Sequence, residues 1–236
     1  MEKEEFRRFL AEQISLPREK WDKRFKDYVE EKWQEETKIT GEIPKPFPYE
    51  TKEKDLKRYL EKLDLTKEQL GRKRILDLGC GDGNFVKECL DKKITEDAFG
   101  FDYRIEPEAV PSEYRGHLIR ADFEEEFPMK TFDLIVSFTG LEAPSFRGEK
   151  KNPKKTLLFA LEALKENGEI RIFPVRKAPP ESGLLGVEYS RKIWQEILKE
   201  VKDEKGIKWE SRPINIRVAG KNKDVWLEEL LIIKKK

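Results

Sequence analysis

Asp77-Leu-Gly79-Cys80-Gly81-Asp-Gly83 is the stretch of this chain whose residue types and spacing most plainly suggest chemistry. Glycines at alternate positions let a backbone turn sharply and come close to a ligand, because a Cβ there would clash or forbid positive φ. Such a turn suits a nucleotide-like cofactor. A helix opening directly after it would present unpaired N–H groups and the positive end of its dipole to polar or anionic ligand groups. About twenty residues beyond the turn, Asp102 stands where α/β nucleotide-binding folds accept hydrogen bonds from ribose hydroxyls. The plainer alternative is a turn-forming aspartate before Tyr103-Arg104.

These residues need elements to hold them. Residues 74–79 read as a short apolar strand and 83–92 as the amphipathic helix after the turn. Ala98-Phe-Gly-Phe-Asp102 is a second strand and 117–121 a third. Thr131-Phe-Asp-Leu-Ile-Val-Ser-Phe138 is a fourth, apolar enough to be buried on both faces of a parallel sheet. Glu106 to Tyr114 reads as a short or broken helix with Pro111 as breaker. Asn152 caps a helix that starts at Pro153, carries Leu157, Leu161 and Leu164 on one face and ends at Asn167-Gly168. A fifth strand over 169–175, a helix over 189–201, and strands over 212–219 and 225–233 around a hairpin turn complete the chain. The alternation predicts an α/β fold: a seven-stranded, mostly parallel sheet with helices on both faces and an antiparallel C-terminal hairpin.

Ahead of it lies an N-terminal helical extension or lid, expected over 1–66, with the main domain over 67–236. Trp21, Phe25, Tyr28, Val29 and Trp33 form one apolar helical stripe, suited to docking on the main domain or to covering a substrate. Gly41 to Tyr49, with three prolines, is an extended linker. Thr51 caps a helix that carries Leu56, Tyr59, Leu60 and Leu63 on one face, and Thr66-Lys-Glu-Gln69 is a capping box.

Three nucleotide-binding readings compete for the glycine turn. A dinucleotide fingerprint would place its third glycine at position 84, which is Asn84. A phosphate-binding P-loop would need Gly-Lys-Ser/Thr after the turn, and none is present. What stands resembles motif I of the class I S-adenosylmethionine-dependent methyltransferases, whose fold ends in the same kind of antiparallel hairpin. The resemblance covers about residues 67–236.

It implies S-adenosylmethionine as cofactor, with Asp77, Gly79, Cys80, Gly81 and Gly83 around its amino-acid end. It further implies Asp102, next to Tyr103, on both ribose hydroxyls, Asp122 on the adenine amino group and Phe123 against the ring. Thr131 to Phe138 resembles the family's motif IV, so Ser137 to Glu142 would line the active-site mouth. Glu142 is the one acidic side chain there and the only catalytic candidate, although a loop glutamate is usually just solvated. His117 starts a strand at the end away from the ligand edge and is rejected as a base. The basic run from Arg147 to Lys155 and the irregular loop Lys177 to Gly186 are candidates to meet the substrate.

Composition bounds the rest. With 41% charged and 37% hydrophobic residues and a net charge of +1, the chain reads as a globular protein with a heavily charged surface. It has no overall electrostatic footprint for nucleic acid. No apolar run approaches a membrane span, and no apolar leader precedes Cys80 and Cys89, so a reduced, cytoplasmic protein is expected, with no metal site. The lysine- and glutamate-rich, Met-, Cys- and His-poor composition is of the kind found in proteins of hot environments.

The expected function is methyl transfer to an O or N nucleophile of a small molecule. The Asp/Asn-Pro-Pro-Tyr/Phe mark of amino-methylation of bases is absent, Ser137-Phe-Thr-Gly140 standing in its place, and so is a Pro-Cys nucleophile. RNA or protein acceptors stay open, as does a non-catalytic S-adenosylmethionine-binding module.

Overall fold

The structure, a computed structural model, describes residues 2–40, 55–123, 125, 127–129, 131–141, 153–179, 182, 185–219 and 222–235. The expected caps at Thr51 and Asn152, the linker with Phe47 and Tyr49, Glu142 and the basic residues 147–151 lie outside them. Its helices are α1 (Lys3–Gln13), α2 (Lys23–Thr40), α3 (Asp55–Lys62), α4 (Lys67–Leu70), α5 (Asn84–Asp91), α6 (Pro153–Ala163) and α7 (Leu185–Lys205). The strands are β1 (Ile75–Leu78), β2 (Ala98–Asp102), β3 (Leu118–Arg120), β4 (Phe132–Phe138), β5 (Leu164–Lys177), β6 (Lys208–Ala219) and β7 (Asp224–Lys234). They form one seven-stranded sheet in the order β3-β2-β1-β4-β5-β7-β6, parallel from β3 through β5 and closed by an antiparallel C-terminal hairpin. No helix among the described residues is long and apolar enough to cross a membrane.

By contacts the chain divides into two compact units. One comprises Glu53–Pro174, Ile193–Ser211 and Leu230–Lys236; the other comprises Met1–Lys52, Val175–Lys192 and Arg212–Glu229. This division follows packing, whereas the expected one at 66/67 followed the reach of the motif resemblance.

In the larger unit every residue of β1 is buried, as a central parallel strand between two covered faces requires. Asp77 pairs with Gly100 of β2 on one side and Val136 of β4 on the other. After the turn α5 buries Phe85, Val86 and Cys89 and packs against β2 and α3. α3 is tied down at both ends: the N–H of Leu56 donates to Glu88 of α5 at 3.2 Å, and buried Arg171 of β5 donates to the carbonyls of Leu63 and Asp64, each at 2.6 Å. The capping box at Thr66 and Gln69 forms as its sequence dictates.

One expectation needs correcting. Leu164, read as the last apolar residue of a helix, instead opens β5 and pairs with Phe132, and Asn167-Gly168 lies inside that strand with Asn167 at φ +61°. Helical spacing continued one residue past the point where a partner strand was available, and sheet pairing won. Glu106 to Tyr114, read as a short or broken helix, is the broken form: two 3-10 turns, Pro107–Ala109 and Ser112–Tyr114, separated at Pro111.

In the smaller unit the aromatic stripe is core. Leu10, Ile14, Trp21, Phe25 and Val29 are buried together with Ile216, Val218, Val225 and Leu227 of the hairpin. Trp21 and Phe25 meet edge to face at 4.9 Å, a geometry that adds to burial worth roughly 1.5–3 kcal/mol per large side chain. Arg18 donates to the carbonyl of Asn222 at 3.1 Å, fastening the 3-10 turn Arg18–Lys20 ahead of α2 to the hairpin turn.

Candidate functional site

β1 lies at the point where the strand order reverses: the chain proceeds outward through β2 and β3, then returns to place β4 on β1's other side. Open α/β sheets bind ligands beyond the carboxyl ends of the strands at such a reversal. The glycine turn leaves β1 there. Gly79 has φ +84°, and a Cβ on it would lie 2.6 Å from the Cα of Gly140, just past the end of β4. A Cβ on Gly140 would in turn lie 2.4 Å from the carbonyl oxygen of Leu78. The two strand ends are therefore pressed backbone to backbone. Ser137 locks them, its hydroxyl donating to the Leu78 carbonyl at 2.8 Å and accepting from the N–H of Leu141 at 2.9 Å. Gly83, at φ +73°, begins α5 without a side-chain cap.

Two carboxylates flank this turn. Asp77 is fully buried within β1 and accepts from the Tyr59 hydroxyl of α3 at 2.9 Å. The Tyr59 ring lies between Phe85, at 4.3 Å and 12°, and Phe138, at 5.0 Å and 23°. Burial, reinforced by the Asp77 charge, pushes the Tyr59 phenol well above its usual range, so it is a neutral donor.

Asp102 ends β2 and is 3% exposed. One carboxylate oxygen accepts from the N–H of Arg104 at 2.9 Å and from its Nε at 3.1 Å. The other accepts from the N–H of Gly81 at 3.0 Å and from Arg104 Nη2 at 3.2 Å. Burial works to raise the Asp102 carboxyl. The Arg104 guanidinium, with the two N–H groups, outweighs that and holds it below its ordinary value.

The remaining expected residues fall around these two. Cys80 turns inward: a Cβ on Gly100 would lie 2.7 Å from its sulfur, and its N–H donates to the Phe101 carbonyl at 3.2 Å. Burial pushes both thiols up, that of Cys89 to about 12, so neither is a thiolate at neutral pH. Tyr103 is 55% exposed beside Asp102. The N–H of Ala121 donates to the Asp102 carbonyl at 3.3 Å, which brings exposed Asp122 and half-buried Phe123 next to the end of β2. His117 approaches the Ala98 carbonyl at 2.8 Å, at the start of β2 and away from the turn.

The residues present suit an adenosyl cofactor. A buried carboxylate at the end of β2 is an acceptor of the kind a pair of vicinal hydroxyls requires. Above Gly81 the turn is open: among the described residues, only Arg104 Nη2, at 3.6 Å, comes within 4 Å of the place its Cβ would take, chain neighbours aside. Two side chains of this arrangement lie beyond the sequence reading. Tyr59 was only one member of an apolar stripe, and nothing in the sequence links it to Asp77. Arg104 had a local signal, since an aspartate readily accepts from the N–H two residues on.

A family model described as "Methyltransferase domain" matches residues 49–175, which takes in α3 as well as the glycine turn. No curated protein matches the sequence. Among solved structures, a SAM-dependent methyltransferase, possible histamine N-methyltransferase, from Thermotoga maritima is similar at 19% identity over 76% of this chain and 89% of that chain, with a TM-score of 0.42. The YcgJ protein from Bacillus subtilis is similar at 14% identity over 74% and 97%, TM-score 0.49. An O-methyltransferase family protein from Burkholderia thailandensis is similar at 14% identity over 77% and 57%, TM-score 0.45. What each description says of substrate belongs to that protein alone.

Proposed function

The chain belongs to the methyltransferase-domain family and is an S-adenosylmethionine-dependent methyltransferase of class I; from that premise we propose that it methylates an oxygen or nitrogen nucleophile of a small molecule. The observation that carries the site assignment is Asp102, a buried acceptor-only carboxylate hydrogen-bonded to the glycine turn at the reversal of the sheet. When bound, the cofactor supplies an electrophilic methyl group on a sulfonium.

The chain supplies binding and orientation. Asp102 would take the ribose hydroxyls, with Tyr103 alongside. Asp122 would take the adenine amino group and Phe123 the ring. Gly79, Cys80, Gly81 and Gly83 would meet the amino-acid end through backbone, with Asp77 beneath them and Ser137 holding the β1 and β4 ends in place. Holding the acceptor in line and excluding water suffices for much of such a reaction, so no general base is assigned. Glu142 is the residue to substitute first if one is sought.

A small acceptor is supported by the net charge of +1 and by Ser137-Phe-Thr-Gly140 at the end of β4. In that segment Phe138 packs on Tyr59 and on Phe173 at 5.5 Å, and Gly140 is pressed on Gly79. The test is calorimetric binding of S-adenosylmethionine and S-adenosylhomocysteine to the full chain, followed by S-adenosylhomocysteine release with small amines, phenols and carboxylates, then with RNA and protein. Binding of both cofactor forms and turnover on a small acceptor are expected. Turnover on RNA or protein alone would overturn the acceptor class. Binding of neither form would overturn the site.

A further inference from the structure

Asp102 has no acceptor capacity left. An ionised carboxylate offers about four lone-pair sites, and on Asp102 the N–H groups of Gly81 and Arg104 with Nε and Nη2 of Arg104 fill them. On the reading of Asp102 as the ribose-binding carboxylate, two hydroxyls need two of those sites. The backbone donors cannot leave, since Gly81 belongs to a turn held at positive φ against Gly140 and Leu118, and the Arg104 N–H follows directly from the end of β2. The guanidinium can. Its side chain is 63% exposed while the carboxylate it covers is 4% exposed, and its Nη2 stands over Gly81.

We propose that Arg104 is the resident occupant of the ribose subsite, a two-pronged donor that takes the place of the two hydroxyls and must swing off before the cofactor binds. It adds to the compensation that the Gly81 and Arg104 N–H groups give the buried Asp102 charge in the free protein. The same contact lowers cofactor affinity by the fraction of time the fork is closed. Arg104 thus sets how tightly the adenosyl end is held without touching it in the bound state.

The test is calorimetric binding of adenosine and of S-adenosylhomocysteine to the full chain and to its Arg104→Ala and Arg104→Lys variants. If the fork is closed about four-fifths of the time, Arg104→Ala binds both ligands about fivefold more tightly. Arg104→Lys, with charge but no planar fork, falls between. Adenosine is uncharged, so raising salt from about 0.05 to about 0.5 M should tighten its binding to the parent protein, by screening the fork, and leave Arg104→Ala unchanged. Unchanged affinity in Arg104→Ala overturns the proposal, and weaker affinity shows that Arg104 holds the ligand instead. Failure of both ligands to bind either protein overturns the reading of Asp102 itself, a result distinct from equal binding to both.

Discussion

Asp77 and Asp102 flank the same turn at nearly the same depth, 0% and 3% exposed, yet their partners differ in kind. Asp77 is met by a phenol enclosed between Phe85 and Phe138, on a helix fastened by Arg171. Asp102 is met by a long guanidinium whose side chain is mostly in solvent. A partner fixed in an aromatic stack contributes to the fold. A partner that can be rehydrated at little cost compensates charge without committing the site, because an ion pair with one exposed member is worth little. Burial of a carboxylate therefore does not by itself tell structure from function; the exposure of what neutralises it separates the two cases.

The comparison can be broken first at its shared frame. Gly79→Ala forces a Cβ into the Gly140 backbone at positive φ and should cost roughly 3 kcal/mol. For a chain of this length that lowers the melting midpoint by about 6–12 °C; an unchanged midpoint would mean that the turn relaxes freely. Asp102→Ala comes next. It should weaken S-adenosylhomocysteine binding by more than about tenfold, since each charge-assisted hydrogen bond contributes roughly 1.5–3 kcal/mol, and calorimetry showing unchanged affinity would remove it from the site.

Tyr59→Phe sharpens the contrast, because it keeps the ring stack and deletes only the donor to Asp77. A loss of about 1–2 kcal/mol in denaturant unfolding is expected, well above that of Arg104→Ala, which should lose less than about 1 kcal/mol. Equal losses would erase the distinction between the two carboxylates.

The smallest effect is in acid. The folded-state Asp102 carboxyl lies below its ordinary value of 3.8, so its contribution to stability is present above that value and lost as pH falls through the lower folded one. The stability gap between the parent protein and Arg104→Ala should thus be open at neutral pH and close below about pH 3.8. A gap that widens in acid would contradict the pairing.

Local chemistry carried most of the architecture. The Gly79-Gly81-Gly83 turn, the apolar run of β4, the capping box at Thr66 and the hairpin at the C-terminal end each follow from residues close together in sequence. So does Asp102, whose place at the end of β2 follows from strand length and spacing after the turn. The misreading of Leu164 has the same origin, since helical spacing cannot register that Phe132 is available as a strand partner. The aromatic stripe of α2 announced burial, but the sequence could not say that its partners are Ile216, Val218, Val225 and Leu227, about two hundred residues away.

What the sequence by itself determined is a glycine turn, two acids and the sheet that presents them, because turn chemistry and hydrophobic period act over a few residues. The tertiary structure alone decided which distant groups meet each acid. Tyr59 reaches Asp77 only once α3 is packed beneath Arg171, and the Gly81 N–H reaches Asp102 only once β1 and β2 are paired. Those pairings depend on distances between elements, and burial of a charge has no signature in sequence until its partner is in place.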